Sequence, residues 1–144
     1  MNILVTIVTN ASEREKCYTI RRLVFVEEQQ VPLELELDDY DDTATHFLAT
    51  DTLTGQPSAT ARLLDKGHTA KIGRVAVLQN LRGQGIGLRL MESVLSESKQ
   101  RGYRDVVLDS QTYAIPFYER LGFVAEGEEF DDAGIPHYRM RRLL

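Results

Sequence analysis

Residues 80–87 read NLRGQGIG, with Gly83, Gly85 and Gly87 at alternate positions after Arg82. Glycine at this density weakens any regular element it interrupts, so the stretch reads as a loop kept bare of side chains. The β-rich run KIGRVAVL precedes it, and LRLMESVLSESKQ, with helical periodicity, follows. The first four N–H groups of a helix have no internal partners and lie at the positive end of its dipole. Strand, glycine loop and helix in this order therefore form a cradle for a phosphate-like anion. Arg82 and Arg89 are the nearby cations. Two nucleotide motifs are excluded by spacing: Leu88 occupies the sixth position of a G-x-G-x-x-G counted from Gly83, and no Gly-Lys-Ser/Thr occurs.

Other residues could move protons. Tyr118 lies in AIPFYERLGF, where a Phe-Tyr pair before a helix stop reads as core packing or as a phenol donor. Glu27, Glu28, Asp38, Asp39 and His137 are candidate bases. Six carboxylates fall within residues 34–42, which reads as a solvated loop or as a rim that attracts a cationic ligand. His46 and His68 have no acidic or histidine partners at ligand spacing, so no metal site is expected. Cys17 is the only cysteine, which rules out an intrachain disulfide and any CxxC motif. Its place on a helical face predicts a buried, structural thiol.

The elements that must position these groups follow from periodicity. ILVTIV is a buried strand. Ser12 and Glu15, in capping-box spacing, open a helix in which Cys17, Ile20, Leu23, Val24 and Val31 recur on one face, and Pro32 ends it or lies just beyond. Residues 44–65 read as two strands joined by a turn at Gly55 and Pro57, and a turn at Lys66-Gly67 leads to a fourth strand. From Gly85, Ile86, Leu90, Met91, Val94 and Leu95 share one helical face, and Gly102 closes the helix. DVVLDS is a fifth strand, and a short helix tolerates Pro116 in its first turn and stops at Gly122. FVAEGEEF and IPHYRMRRLL close the chain as a hairpin. The order β-α-β-β-β-α-β-α-β-β predicts an α/β fold of the α+β type. Its central sheet is mixed and largely antiparallel, flanked by helices, and is not doubly wound.

The pattern R/Q-x-x-G-x-G/A, met by Arg82, Gly85 and Gly87, resembles the pyrophosphate loop of the GNAT superfamily of acyl-CoA-dependent N-acyltransferases. GRVAVLQNLRGQGIG is similar to that family's fourth strand and loop, AIPFYERLGF to its later helix, and IRRLVFVEEQQVP and GIPHYRM to its small stand-alone members. The resemblance covers nearly the whole chain, read as one domain, 1–144. It implies acetyl-CoA as co-substrate. The main chain of Val75, Ala76 and Val77 would pair with the pantetheine arm, and the amides of Arg82, Gly83, Gln84, Gly85, Ile86, Gly87 and Leu88 would face the pyrophosphate. It places Tyr118 where a tyrosine assists the departing thiolate. It does not choose the base; Glu28 and His137 are carried as candidates.

The implied reaction is direct attack of a primary amine, from a small molecule or a peptide, on the thioester, with a backbone N–H near Val77 polarising the carbonyl. The acidic run, with Glu27 and Glu28, would recruit a cationic acceptor. A non-catalytic acyl-CoA-binding module is the alternative, and a homodimer is compatible with the family. Composition agrees with a soluble globular protein: 144 residues, 42% hydrophobic, 27% charged, mean hydropathy -0.28. Net charge -5 and pI ≈ 5.2 argue against nucleic-acid binding. No apolar run reaches the roughly 18 residues of a membrane span, and the N-terminal run lacks a basic leader and a cleavage site. Cytoplasm is the expected location.

Overall fold

The computed structural model describes all 144 residues. Seven strands form one sheet in the order β1-β2-β3-β4-β5-β7-β6: β1 Ile3–Ile7, β2 Thr45–Asp51, β3 Gln56–Lys66, β4 Thr69–Val77, β5 Asp105–Gln111, β6 Val124–Asp132 and β7 Ile135–Leu143. Only β4 and β5 run parallel; every other pair is antiparallel. The closing hairpin folds so that β7 docks on β5 and β6 becomes the exposed edge. The helices are α1 Ala11–Arg21, α2 Leu33–Glu36, α3 Ile86–Gln100 and α4 Ile115–Arg120.

Alternation along the strands divides the core between the two faces of the sheet. Phe47 and Ala49 of β2 join Ile86, Leu90, Met91 and Val94 of α3 and Tyr118 of α4 in the larger cluster. Leu48, between them, joins Cys17, Ile20 and Val24 beneath the first helix. Cys17 is fully buried, as its helical position predicts, with its thiol directed at the Phe47 carbonyl.

Three expectations are corrected. The first helix is capped two residues early: Asn10 Oδ1 accepts from the Glu13 N–H, and Glu13 accepts from the Asn10 side chain and from Thr9. An Asn can cap as well as a Ser, and it takes the start from Ser12. The helix does not keep one α-helical face as far as Val31: after Arg21 it widens into a π-helical segment, Arg22–Glu28, where Leu23 is 40% exposed while Val24 stays buried. The acidic run is solvated only in part: Glu34, Asp39 and Asp42 stay exposed, while Glu36, Asp38 and Asp41 turn to basic partners. It folds into α2 and a 3-10 turn, Asp39–Asp42, and draws three of its carboxylates into ion pairs.

Those pairs join strands to helices. Arg21 donates from Nε to Glu36 at 2.5 Å and from Nη1 to Asp41 at 2.7 Å. Arg62 on β3 reaches Asp38 at 2.7 Å and Asp41 at 2.9 Å, and Arg74 on β4 reaches Asp38 at 3.3 Å. Three arginines meet three carboxylates, so the cluster is charge-balanced. The Arg21 guanidinium, hydrogen-bonded to Asp41, overcomes burial and holds the Asp41 carboxyl well below the usual carboxylate range.

Candidate active site

The site begins where β4 and β5 part. Their parallel register runs from Thr69↔Asp105 to Ile72↔Leu108 and then ends, although β4 continues five residues further. Arg74 has φ +50, rare for a residue with a side chain. It sits at the irregularity where the β3–β4 register shifts, so a bulge turns β4 away from β5. Beyond it, Ala76 pairs with Thr60 and the Leu78 N–H donates to the Ser58 carbonyl at 3.0 Å. In an antiparallel ladder this alternation turns the main-chain groups of the intervening Val77 toward the gap.

The glycine loop closes the open end of that gap. Gly83 and Gly85 hold φ +77 and +83, and a Cβ built on either would meet nothing within 4 Å. The bare backbone there borders open space. The first helical bond of α3 is Arg89 N–H to the Gly85 carbonyl at 3.1 Å. The six N–H groups from Gly83 to Leu88 donate to nothing in the chain. Free donors at a helix N-terminus, bordered by open space, suit a phosphate-like anion in charge preference and access.

The predicted cations separate. Arg82 Nε donates to the Val77 carbonyl at 3.0 Å, and its two terminal nitrogens grip both oxygens of Glu28 at 2.6 and 2.7 Å. The hydrogen-bonded guanidinium lowers the Glu28 pKa. Arg89 instead reaches across to the Ile3 carbonyl on β1. The sequence carries no signal for the partner of Arg82, 54 residues away.

Gap and loop belong to one cleft of about 1020 Å³, whose wall includes Val75, Ala76, Val77, Gly83, Gly85, Ile86, Gly87 and Leu88 together with Tyr118 and His137. Tyr118 is 8% exposed and packs edge-on against Phe117 and Phe123. Burial pushes its phenol well above the ordinary tyrosine value, so it remains a protonated donor through the working range. His137, on β7, stacks on Phe130 and places Nδ1 2.7 Å from the Ile135 carbonyl. A carbonyl only accepts, so Nδ1 carries a proton, and in the neutral ring the lone pair lies on Nε2. Gln29 and Gln111 exchange amide hydrogen bonds between the end of the first helix and the end of β5. Neither glutamine was singled out from sequence, where an amide pair 82 residues apart leaves no pattern. No group of three or more His, Cys, Asp or Glu is arranged to hold a metal, and no helix is long and apolar enough to cross a membrane.

The chain is similar to known proteins in sequence and in fold. The acetyltransferase (GNAT) domain family matches residues 15–144. The uncharacterized N-acetyltransferase YjcF of Bacillus subtilis is 33% identical over 137 residues, spanning 94% of this chain and 96% of its own. Among solved structures, an acyl-CoA N-acyltransferase from Pseudomonas aeruginosa superposes with a TM-score of 0.87 at 33% identity, covering 98% of this chain and 99% of its own. Escherichia coli ElaA superposes with the same TM-score at 28% identity, covering 98% and 99%.

Proposed function

We propose that this chain, which belongs to the GNAT acetyltransferase family, transfers the acetyl group of acetyl-CoA to a primary amine by direct attack. The observation that carries the reading is the run of six unpartnered N–H groups, Gly83 to Leu88, opening onto the split between β4 and β5. Acetyl-CoA, when bound, supplies a thioester whose carbonyl carbon accepts the amine nitrogen. The glycine-loop amides hold its pyrophosphate, and the main chain of Val75, Ala76 and Val77 aligns its pantetheine arm. The Val77 N–H, turned toward the gap, offers a hydrogen bond to the thioester oxygen as negative charge develops there.

Tyr118 donates its hydroxyl hydrogen bond to the departing sulfur. Full proton transfer from a phenol to a thiolate near pKa 8.5 is uphill even from an ordinary tyrosine by about 2 kcal/mol, and burial steepens it here. Its role is therefore stabilisation of the thiolate, which takes up the proton the nitrogen sheds as the C–S bond breaks and the amide forms. The acceptor presents the opposite need, since an alkylamine of pKa about 10.4 is neutral in only about one molecule in a few thousand at pH 7. His137 lines the cleft with Nε2 free to take that proton, directly or through water. Both carboxylate oxygens of Glu28 are occupied by Arg82, which gives Glu28 the role of holding the loop. Cys17, the only thiol, is fully buried against Phe47 and is out of reach as an acyl carrier.

A thermal-shift panel tests the donor assignment. At 100 times its Kd a ligand stabilises by about 2.7 kcal/mol, roughly 5–10 °C for a chain of this size. Acetyl-CoA and CoA should give that shift and NAD should not. A shift with NAD as large as that with CoA overturns the reading.

A further inference from the structure

The acceptor half of the cleft carries a chemistry of its own. α2, with the sequence LELE, is turned inside out. Its Glu36 is buried against Arg21, while Leu33, Leu35 and the following Leu37 are 53%, 54% and 45% exposed. Leu35 lines the cleft together with Phe25, Val31, Tyr113 and Ile135, on the end of the first helix, the β5–α4 turn and the closing hairpin. Exposed leucine beside a cleft has no stabilising purpose in the free chain, since its transfer from water is realised only when something covers it.

The charges on this wall exclude a polycation. Three carboxylates line the cleft: Glu36, Asp109 and Asp132. Glu36 is held by Arg21 at 2.5 Å and approached by Arg74 at 3.5 Å. Asp109 is held by Arg139 at 2.6 Å and approached by Lys71 at 3.8 Å. That leaves Asp132, at the hairpin turn, as the one lining carboxylate without a basic partner. Arg74 and Lys71 also line the wall, and a second ammonium placed near them would be repelled. The lining also includes the uncharged amides of Gln29 and Gln111 and the hydroxyls of Ser110 and Tyr118.

We infer that the acceptor is a monoamine with an apolar body, of the arylalkylamine type, and that polyamines and amino sugars are poor acceptors. The inference rests on the acyltransfer reading above and goes beyond it to the substrate class. The ring of such an amine would lie on the Phe25–Leu35–Tyr113 wall, and its single ammonium would meet the single free carboxylate before reaching His137 as the neutral amine.

The test pairs turnover with binding. With saturating acetyl-CoA, release of CoA is measured for 2-phenylethylamine, spermidine and glucosamine, and calorimetry measures binding of each amine to the protein–CoA complex. 2-Phenylethylamine should exceed both others on the order of 10²-fold in kcat/KM, the span over which an apolar pocket discriminates, and should bind more tightly in the same order. Leu35→Glu, a change at an exposed position, should lower phenylethylamine turnover and raise that of spermidine. Spermidine or glucosamine equal to or better than phenylethylamine overturns this inference and leaves the acyltransfer reading standing. CoA binding with no amine acetylated overturns the acyltransfer reading, and this inference with it.

Discussion

Glu28→Gln separates two roles that a carboxylate at this place could have. The substitution keeps the shape of the side chain and removes the charge that Arg82 grips from both sides at 2.6 and 2.7 Å. The Arg82 side chain is 38% exposed and that of Glu28 27%, so solvent screens the pair, and exposed pairs contribute about 0.2–1 kcal/mol. The two-pronged geometry puts this one at the upper end, about 1 kcal/mol. Loosening Arg82, which also donates to the Val77 carbonyl, should therefore raise KM for acetyl-CoA about fivefold. Turnover at saturating donor should change less than twofold, and the acid limb of the pH–rate profile should stay in place. In a double-mutant cycle, Arg82→Gln should add little once Glu28 is Gln. A 100-fold fall in kcat with unchanged KM, or loss of the acid limb, would refute the reasoning and make Glu28 the base.

Three further outcomes are expected. Tyr118→Phe should lower kcat on the order of 10²-fold with little change in KM for acetyl-CoA, and unchanged turnover would return Tyr118 to core packing alone. Gly85→Glu should abolish CoA binding in calorimetry while thermal melts show a folded protein; its φ of +83 costs a side chain about 1–2 kcal/mol, and its carboxylate enters the open space proposed for the phosphates. Asp41→Asn removes one partner of two buried arginines, a loss of about 3–5 kcal/mol, and should lower Tm by roughly 10–15 °C. Because the native Asp41 pKa is depressed, its contribution is complete above the unfolded value near 3.9 and declines as pH falls toward the native one. Melts across pH 2–7 should show the wild-type advantage over the variant shrinking below about pH 4; an advantage that grows in acid would contradict the sign.

Features carried by the backbone were legible in the sequence, and features carried by distant side-chain pairs were not. Glycines at 83 and 85 announce positive φ at a helix start because other residues resist it. The face of α3 follows from spacing alone, as does the burial of Cys17. By contrast, nothing local tells that Glu36 and Asp41 turn inward. Their partners Arg21, Arg62 and Arg74 lie on three different elements, and six adjacent acids read as a solvent face until the strands assemble. The same holds for Glu28, whose partner follows it by 54 residues. The hairpin was visible, but which of its strands would dock on β5 depends on the sheet edge it meets.

Arg74 links the width of the cleft to the charge cluster. Its left-handed backbone is the wedge that turns β4 from β5, and its guanidinium is anchored outside the sheet, to the Leu35 and Glu36 carbonyls and to Asp38. For the strands to zip shut, the bulge would have to relax and pull that guanidinium away from its acceptors. The opening is thus propped from the side, and Asp38, one of the acceptors that hold the prop, does not itself line the cleft. A change as remote as Asp38 should therefore be felt first as a narrower groove and a slower entry of the donor.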